Sequence, residues 1–223
     1  MKAPRRSRAA ALTAVPGLVL VLALTACGGS AGGDAAASSA ATSAADPAET
    51  TAAATPAAAG PIGAGCDVLP TEGPGSLAAL ASTPAGTAVN TNPQLTTLAQ
   101  AVLAANLVDV VNTRADITVL APTNAAFDAL GPDAVPALVA DVPRLTTVLT
   151  HHVLSGRLGP EELAGEHRTL QGDTVTVTGS GGSFSVAADR TLAAAAPATV
   201  VCGNVPTANA TVYFIDQVLA PAG

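Results

Sequence analysis

The feature that most constrains this chain is a change of hydrophobic period partway along it. Between residues 92 and 154 apolar side chains recur at helical spacing: Leu95, Leu98, Val102 and Ala105, then Leu107, Val108, Val110 and Val111. Asn92-Pro93 supplies a start signal, with Asn as N-cap and Pro at the first helical position. Ile117 to Ala121 is a short continuous apolar run, read as a buried strand that Pro122 halts. A short helix is expected from near Thr123, with Phe127 and Leu130 inward and Gly131-Pro132 as its stop. Pro143 opens another, carrying Leu145, Val148 and Leu149. From residue 174 the period drops to two. Thr174 to Thr178 alternates strictly, and Ser183 to Val186 does so again after Gly179-Ser180-Gly181-Gly182, so the pair reads as a β-hairpin with a loose loop. Val200-Val201 and Thr211 to Ile215 supply further strands. Helices first and strands later indicate an α+β fold rather than an alternating parallel sheet.

What precedes residue 66 has a different character. Lys2, Arg5, Arg6 and Arg8 lead into a short apolar core, Gly17 to Leu24, the pattern of an export signal over residues 1–26. Pro16 and Gly17 interrupt the apolar stretch, which argues against a membrane-spanning helix. The signal ends in Leu24-Thr25-Ala26-Cys27, which resembles the bacterial lipobox. That resemblance implies a diacylglycerol on the Cys27 sulfur and cleavage just before it. An ordinary signal peptide with an incidental Cys is the alternative. Residues 27–65 read as a linker: fifteen of the twenty-nine residues from Ala31 to Ala59 are Ala, mixed with Ser, Thr, Gly and Pro. A flexible tether of this length spans roughly 35 Å. It would hold the domain expected over residues 66–223 clear of a membrane.

Charge narrows the partners. Sixteen acids face nine bases, and four of the nine lie in the signal, which leaves five Arg and a net charge of −11. Such a surface offers no attraction to phosphate backbones or anionic lipid. With three Phe, one Tyr and no Trp there is no stacking platform for bases either. Nucleic-acid binding is excluded as a main function. Of the three Cys, acylation of Cys27 leaves Cys66 and Cys202, which an oxidising exterior would join. Two unconnected thiols are the other reading, and the lack of CxxC or HxxxH spacing speaks against metal.

Three segments resemble the signatures of the fasciclin (FAS1) domain. Ala121-Pro122-Thr123-Asn124-Ala125-Ala126-Phe127 is similar to the first. Leu149 to Gly156 (LTHHVLSG) is similar to the second, where a Tyr-His pair usually precedes a Val-Leu-x-Gly strand. Asn209 to Leu219 (NATVYFIDQVL) is similar to the terminal strand motif. Gly65-Cys66, Thr169 to Gly172 and Val201-Cys202-Gly203 resemble the mycobacterial secreted and lipid-anchored members of that family. The resemblance implies a Cys66–Cys202 bridge, a compact β-wedge flanked by several short helices, and adhesion or extracellular protein recognition without catalysis.

The motif residues also have a plain physical reading. Pro122 blocks strand continuation, Thr123 or Asn124 can cap a helix, and Phe127 anchors it, which makes a structural corner. Thr123 and Asn124 are at the same time candidates for an interaction surface. His152 continues the inward stripe of Leu145 and Leu149 and reads as a buried, hydrogen-bonded imidazole. His151 faces differently, is expected to be exposed, and joins Thr123 and Asn124 on the candidate surface. It stands where animal fasciclins carry the Tyr linked to integrin binding, and the acidic Asp-Ile motif is missing near Asn204 to Thr207. Integrin recognition by the animal mode is therefore not expected.

No GxSxG elbow, P-loop, GxGxxG after a strand or HExxH is present. His151 and His152, expected on a strand, diverge and make poor co-ligands for a metal. Glu161-Glu162 reads as a solvated helix start and Glu166-His167 as a turn before the next strand. Asn209-Ala210-Thr211 is formally a glycosylation sequon, but it lies inside the strand motif. The expectation is a non-enzymatic lipoprotein without metal or cofactor, on the extracellular face of a bacterial membrane or shed from it. Its expected partner is an extracellular protein or a matrix or wall component. The alternative is a carrier of an apolar small molecule or lipid, motivated by the membrane tether and by a core of Ala, Val and Leu that would leave an apolar groove.

Overall fold

The computed structural model describes residues 60–221. Cys27, the export signal and the linker up to residue 59 lie outside the described residues. Those described form seven short helices: α1 (Leu77–Ala81), α2 (Ala85–Thr91), α3 (Thr96–Ala104), α4 (Val108–Thr113), α5 (Asn124–Asp128), α6 (Ala134–Ala140) and α7 (Val142–His151). They also form seven strands: β1 (Ile117–Pro122), β2 (Val153–Ser155), β3 (Gly165–Arg168), β4 (Thr174–Ser180), β5 (Ser183–Val186), β6 (Ala198–Pro206) and β7 (Ala210–Ile215). None of these helices is long and apolar enough to cross a membrane.

All seven strands belong to one sheet, in the order β2-β1-β7-β6-β5-β4-β3. The sheet nearly closes on itself, because Leu154 bridges to Thr169 and Leu170 N–H donates to Val153 O at 2.8 Å across the gap between its two edges. The fold is α+β, and its ladders are antiparallel except one. β1 and β7 run parallel, Ile117 beside Ala210 through Pro122 beside Ile215.

That parallel pair separates two apolar cores. From β7, Val212 and Phe214 face the helical side with Ile117, Val119 and Ala121 of β1, while Tyr213 and Ile215 face the sheet interior with Leu120. Every residue of both strands is buried, which is why each reads as a near-continuous apolar run, broken only by Thr118 and Thr211, rather than an alternating one. β4 is covered on one face only, so Val175 and Val177 point inward between exposed threonines. The hairpin turn is tighter than the sequence suggested: β4 runs on to Ser180, paired with Ser183, and only Gly181 and Gly182 turn the chain. Both have positive φ, +61° and +91°, as a two-residue turn matched to strand twist requires.

The start of the described chain adds to the sheet. Ile62 pairs with Gly203 on β6 through two backbone hydrogen bonds of 2.7 and 3.0 Å, four residues before the domain start expected from sequence. Cys66 is disulfide-bonded to Cys202, with Cα atoms 4.8 Å apart.

Candidate functional site

The first signature forms a corner between the parallel strands and the helices. Thr123 N–H donates to Ile215 O at 3.0 Å, pinning the end of β1 to the end of β7. The Thr123 hydroxyl accepts from Ala126 N–H at 3.4 Å and caps α5, and Phe127 is buried one turn on. Asn124 turns back into the fold. Its Oδ1 accepts from Thr97 N–H at 3.0 Å and from the Thr96 hydroxyl at 3.1 Å, and its Nδ2 donates to Pro93 O at 2.9 Å. Thr123 and Asn124 are both half-buried. Their polar atoms hold the start of α3 against α5.

The second signature departs from expectation at His151. This residue is buried, with only 2% of its surface exposed, and its Nδ1 lies 2.8 and 2.9 Å from the two carboxylate oxygens of Asp173. It cannot serve as the exposed element of an interaction surface. The reason is local: the two histidines end helix α7 rather than lying on a strand, and the turn joining β3 to β4 folds over them. That turn supplies Asp173 and Thr169, whose hydroxyl donates to the same carboxylate. The Thr150 hydroxyl is 2.6 Å from Gln171 Oε1 on the same turn.

His152 is buried against the other side of the helix end. Its Nδ1 donates to Val148 O at 2.7 Å, and its Nε2 accepts from Leu219 N–H at 2.9 Å. That pair of contacts fits a neutral ring with its proton on Nδ1. Burial lowers the His152 pKa from 6.5 to about 4, with the Val148 carbonyl opposing the shift and His151 adding to it. The imidazole is thus neutral at physiological pH and has no free nitrogen for chemistry.

The third signature contributes a residue whose role sequence reasoning missed. Asn209 precedes β7, and its Oδ1 accepts from Ala85 N–H, the first residue of α2, at 2.8 Å. Its Nδ2 donates to Val111 O at 2.7 Å and Arg114 O at 2.6 Å at the end of α4. One amide therefore fastens two helices to the central sheet. With both ends occupied, it is not a sugar acceptor. The only sequence signal was the Asn-Ala-Thr triplet itself, which pointed to a different use.

The remaining titratable groups do not converge. Glu166 and His167 lie within β3 rather than in a turn, and His167 Nε2 contacts Leu163 O at 2.9 Å. Glu161 and Glu162 are exposed on a turn, where Glu162 accepts from Gly159 N–H at 3.2 Å. Tyr213 donates to Leu158 O at 3.1 Å, and burial, with Glu162 adding, pushes its phenol pKa upward. Among the described residues no group of three His, Cys, Asp or Glu is placed to hold a metal ion.

The chain matches the Fasciclin domain family over residues 93–221. It is 42% identical over 172 residues to the cell surface glycolipoprotein MPT83 of Mycobacterium tuberculosis, covering 74% of each chain. It is 44% identical over 154 residues to the immunogenic protein MPB70 of Mycobacterium bovis, covering 67% of this chain and 75% of that one. Among solved structures, a FAS1 domain pair from the insect cell adhesion molecule fasciclin I aligns with a TM-score of 0.45 at 20% identity, over 56% of this chain and 45% of that one.

Proposed function

The chain belongs to the fasciclin domain family, and on that footing we propose a non-enzymatic cell-surface module that serves adhesion or extracellular protein recognition. A lipid on Cys27 holds it to the outer face of the membrane, and the alanine-rich linker sets its distance. The observation that carries the reading is where the signature side chains go. Thr123, Asn124, His151, His152 and Asn209 all bond within the fold. These side chains hold a shape, and, with no reactive group left free among them, such a shape is suited to recognition. The name of the Mycobacterium tuberculosis relative, a cell surface glycolipoprotein, supports the same address.

Two measurements test this. Intact mass of the protein from its own membranes should show a diacylglycerol on Cys27, and Cys27→Ala should release the chain to the medium. Cells displaying the wild-type chain should then be retained on immobilised wall or matrix components, and cells producing Cys27→Ala should not. Equal retention of both would refute the adhesive role, whereas an unmodified Cys27 would refute the anchor alone.

A further inference from the structure

We propose that the apolar cavity roofed by α4 is a binding site for an unbranched aliphatic chain of a neutral lipid, with α4 as its lid. The cavity lies between α2, α3, α4 and α7 over the face of β1, with Val89, Val102, Leu107, Val119 and Leu149 among its walls. Its polar groups are already spoken for. His152 uses both ring nitrogens, and the Thr150 hydroxyl donates to Thr146 O at 2.7 Å. A space so lined has nothing to hold water in place and favours an apolar guest.

Size and charge select the guest. The cavity measures about 40 Å³ with α4 in place. A ring or a branched group must displace α4 from the outset. The methyl end of a straight chain is the narrowest apolar group available, and its methylenes would follow the cavity out past Val110, which lines it and is 39% exposed. No basic side chain lines the opening, and Asp109 is exposed beside Val110. A free carboxylate there would find no cationic partner, so an esterified, uncharged head is favoured over a fatty-acid anion.

The roof is built to lift. α4 contains no buried residue. Asn106 and Asp116 bracket the segment that contains it with φ of +55° and +52°, values that residues other than glycine rarely adopt. Its polar fastenings gather toward its C-terminal end: Asn112 exchanges hydrogen bonds with Thr87 at 3.1 and 3.2 Å, and Asn209 holds Val111 O and Arg114 O. Its apolar hold on the core is limited to the partly buried Val108 and Val111. Gly86 of α2 lets α4 sit this close, since a Cβ there would come within 2.7 Å of Val108 O. Entry of several methylenes needs these polar contacts and the packing of Val108 and Val111 to give way while the sheet stays intact.

The test uses the full chain carrying Cys27→Ser, which removes its own acyl group, with methyl-labelled Val and Leu. It is titrated below the micelle concentration with monodecanoylglycerol, decanoate or glycerol. Saturable shifts at Val89, Val102 and Val119 are expected with monodecanoylglycerol, with decanoate weaker by about tenfold and glycerol silent. Val110→Asp, at an exposed rim position, should weaken binding by about tenfold at an unchanged unfolding midpoint. Asn112→Ala, which loosens the lid, should speed association. Absence of saturable shifts at the three wall residues, or binding indifferent to Val110→Asp, overturns the site. If binding occurs but Asn112→Ala leaves its rate unchanged, α4 is not the lid.

Discussion

His152 and Leu219 are joined by a buried hydrogen bond of 2.9 Å from the Leu219 backbone N–H to the imidazole Nε2. The two residues belong to different signatures, the second and the third, and the bond ties the end of α7 to the chain leaving β7. Because Nδ1 donates to Val148 O, only the neutral ring can make both contacts. The signatures are therefore coupled through one protonation state.

That coupling predicts a pH dependence with a defined sign. The unfolded chain binds a proton at His152 near pH 6.5, whereas the folded chain resists until about pH 4. Stability from this residue is fully present above pH 6.5, falls as the pH drops through that window, and levels off below about 4. The total is on the order of 3 kcal/mol. Urea midpoints measured from pH 7.5 to 3.5 should show the decline. In His152→Gln the same series should start lower and be flatter, and equal slopes in both proteins would remove His152 as the cause.

Asn209→Ala should cost more than an ordinary surface amide, because it strands Ala85 N–H, Val111 O and Arg114 O together. A loss of about 2–4 kcal/mol is expected from the net value of several partly buried hydrogen bonds. Amide exchange should accelerate in α2 and α4 and stay slow in β1. Asn124→Ala should instead loosen the start of α3, where its three partners lie. Uniform exchange changes in both variants would mean that the fastenings do not act locally.

How much of this was legible beforehand follows from the reach of each cause. The run Ile117 to Ala121 and the run Thr211 to Ile215 declared themselves, because burial on both faces leaves each strand apolar but for one threonine, Thr118 and Thr211. Asn92-Pro93 worked for a similar reason: Asn92 Oδ1 accepts from Gln94 N–H at 2.9 Å, a contact made within three residues. Helices α1 and α2 went unread, since LAALA and AGTAVNT carry too few large side chains to show a period. β3 is mostly exposed and is a strand only because β4 pairs with it. The burial of His151 depends on Asp173, twenty-two positions later, and Asn209 acts on residues about a hundred positions earlier. Nothing in the neighbouring sequence could reveal either.

Gly203 offers a test of the sheet's packing. A Cβ there would fall 2.3 Å from the Tyr213 ring, which is wholly buried and cannot yield. Gly203→Ala should destabilise by about 1–3 kcal/mol, the range for overpacking a filled core. Gly60→Ala, with nothing within 4 Å of the new carbon, should stay within about 0.5 kcal/mol of wild type. Thermal melts of the pair decide it, and equal melting temperatures would show that Tyr213 has room to move.

The Cys66–Cys202 bridge should matter both to stability and to how residues 60–66 are held. It closes a loop of 136 residues, for which chain entropy allows at most about 5 kcal/mol, less any strain. The double variant Cys66→Ser/Cys202→Ser should therefore remain folded but melt lower. The bridge also backs the short Ile62–Gly203 pairing, which consists of only two hydrogen bonds. Without it residues 60–66 are held only by those bonds, the Asn204 Nδ2 contact to Gly60 O at 3.2 Å and the packing of Ile62, and a short edge of that kind frays readily. Amide exchange at Ile62 and Gly203 should then rise far more than at Tyr213 or Leu120, which sit in the doubly covered centre. If Ile62 stays protected in the double variant, the pairing and not the disulfide is what fixes residues 60–66 to the sheet.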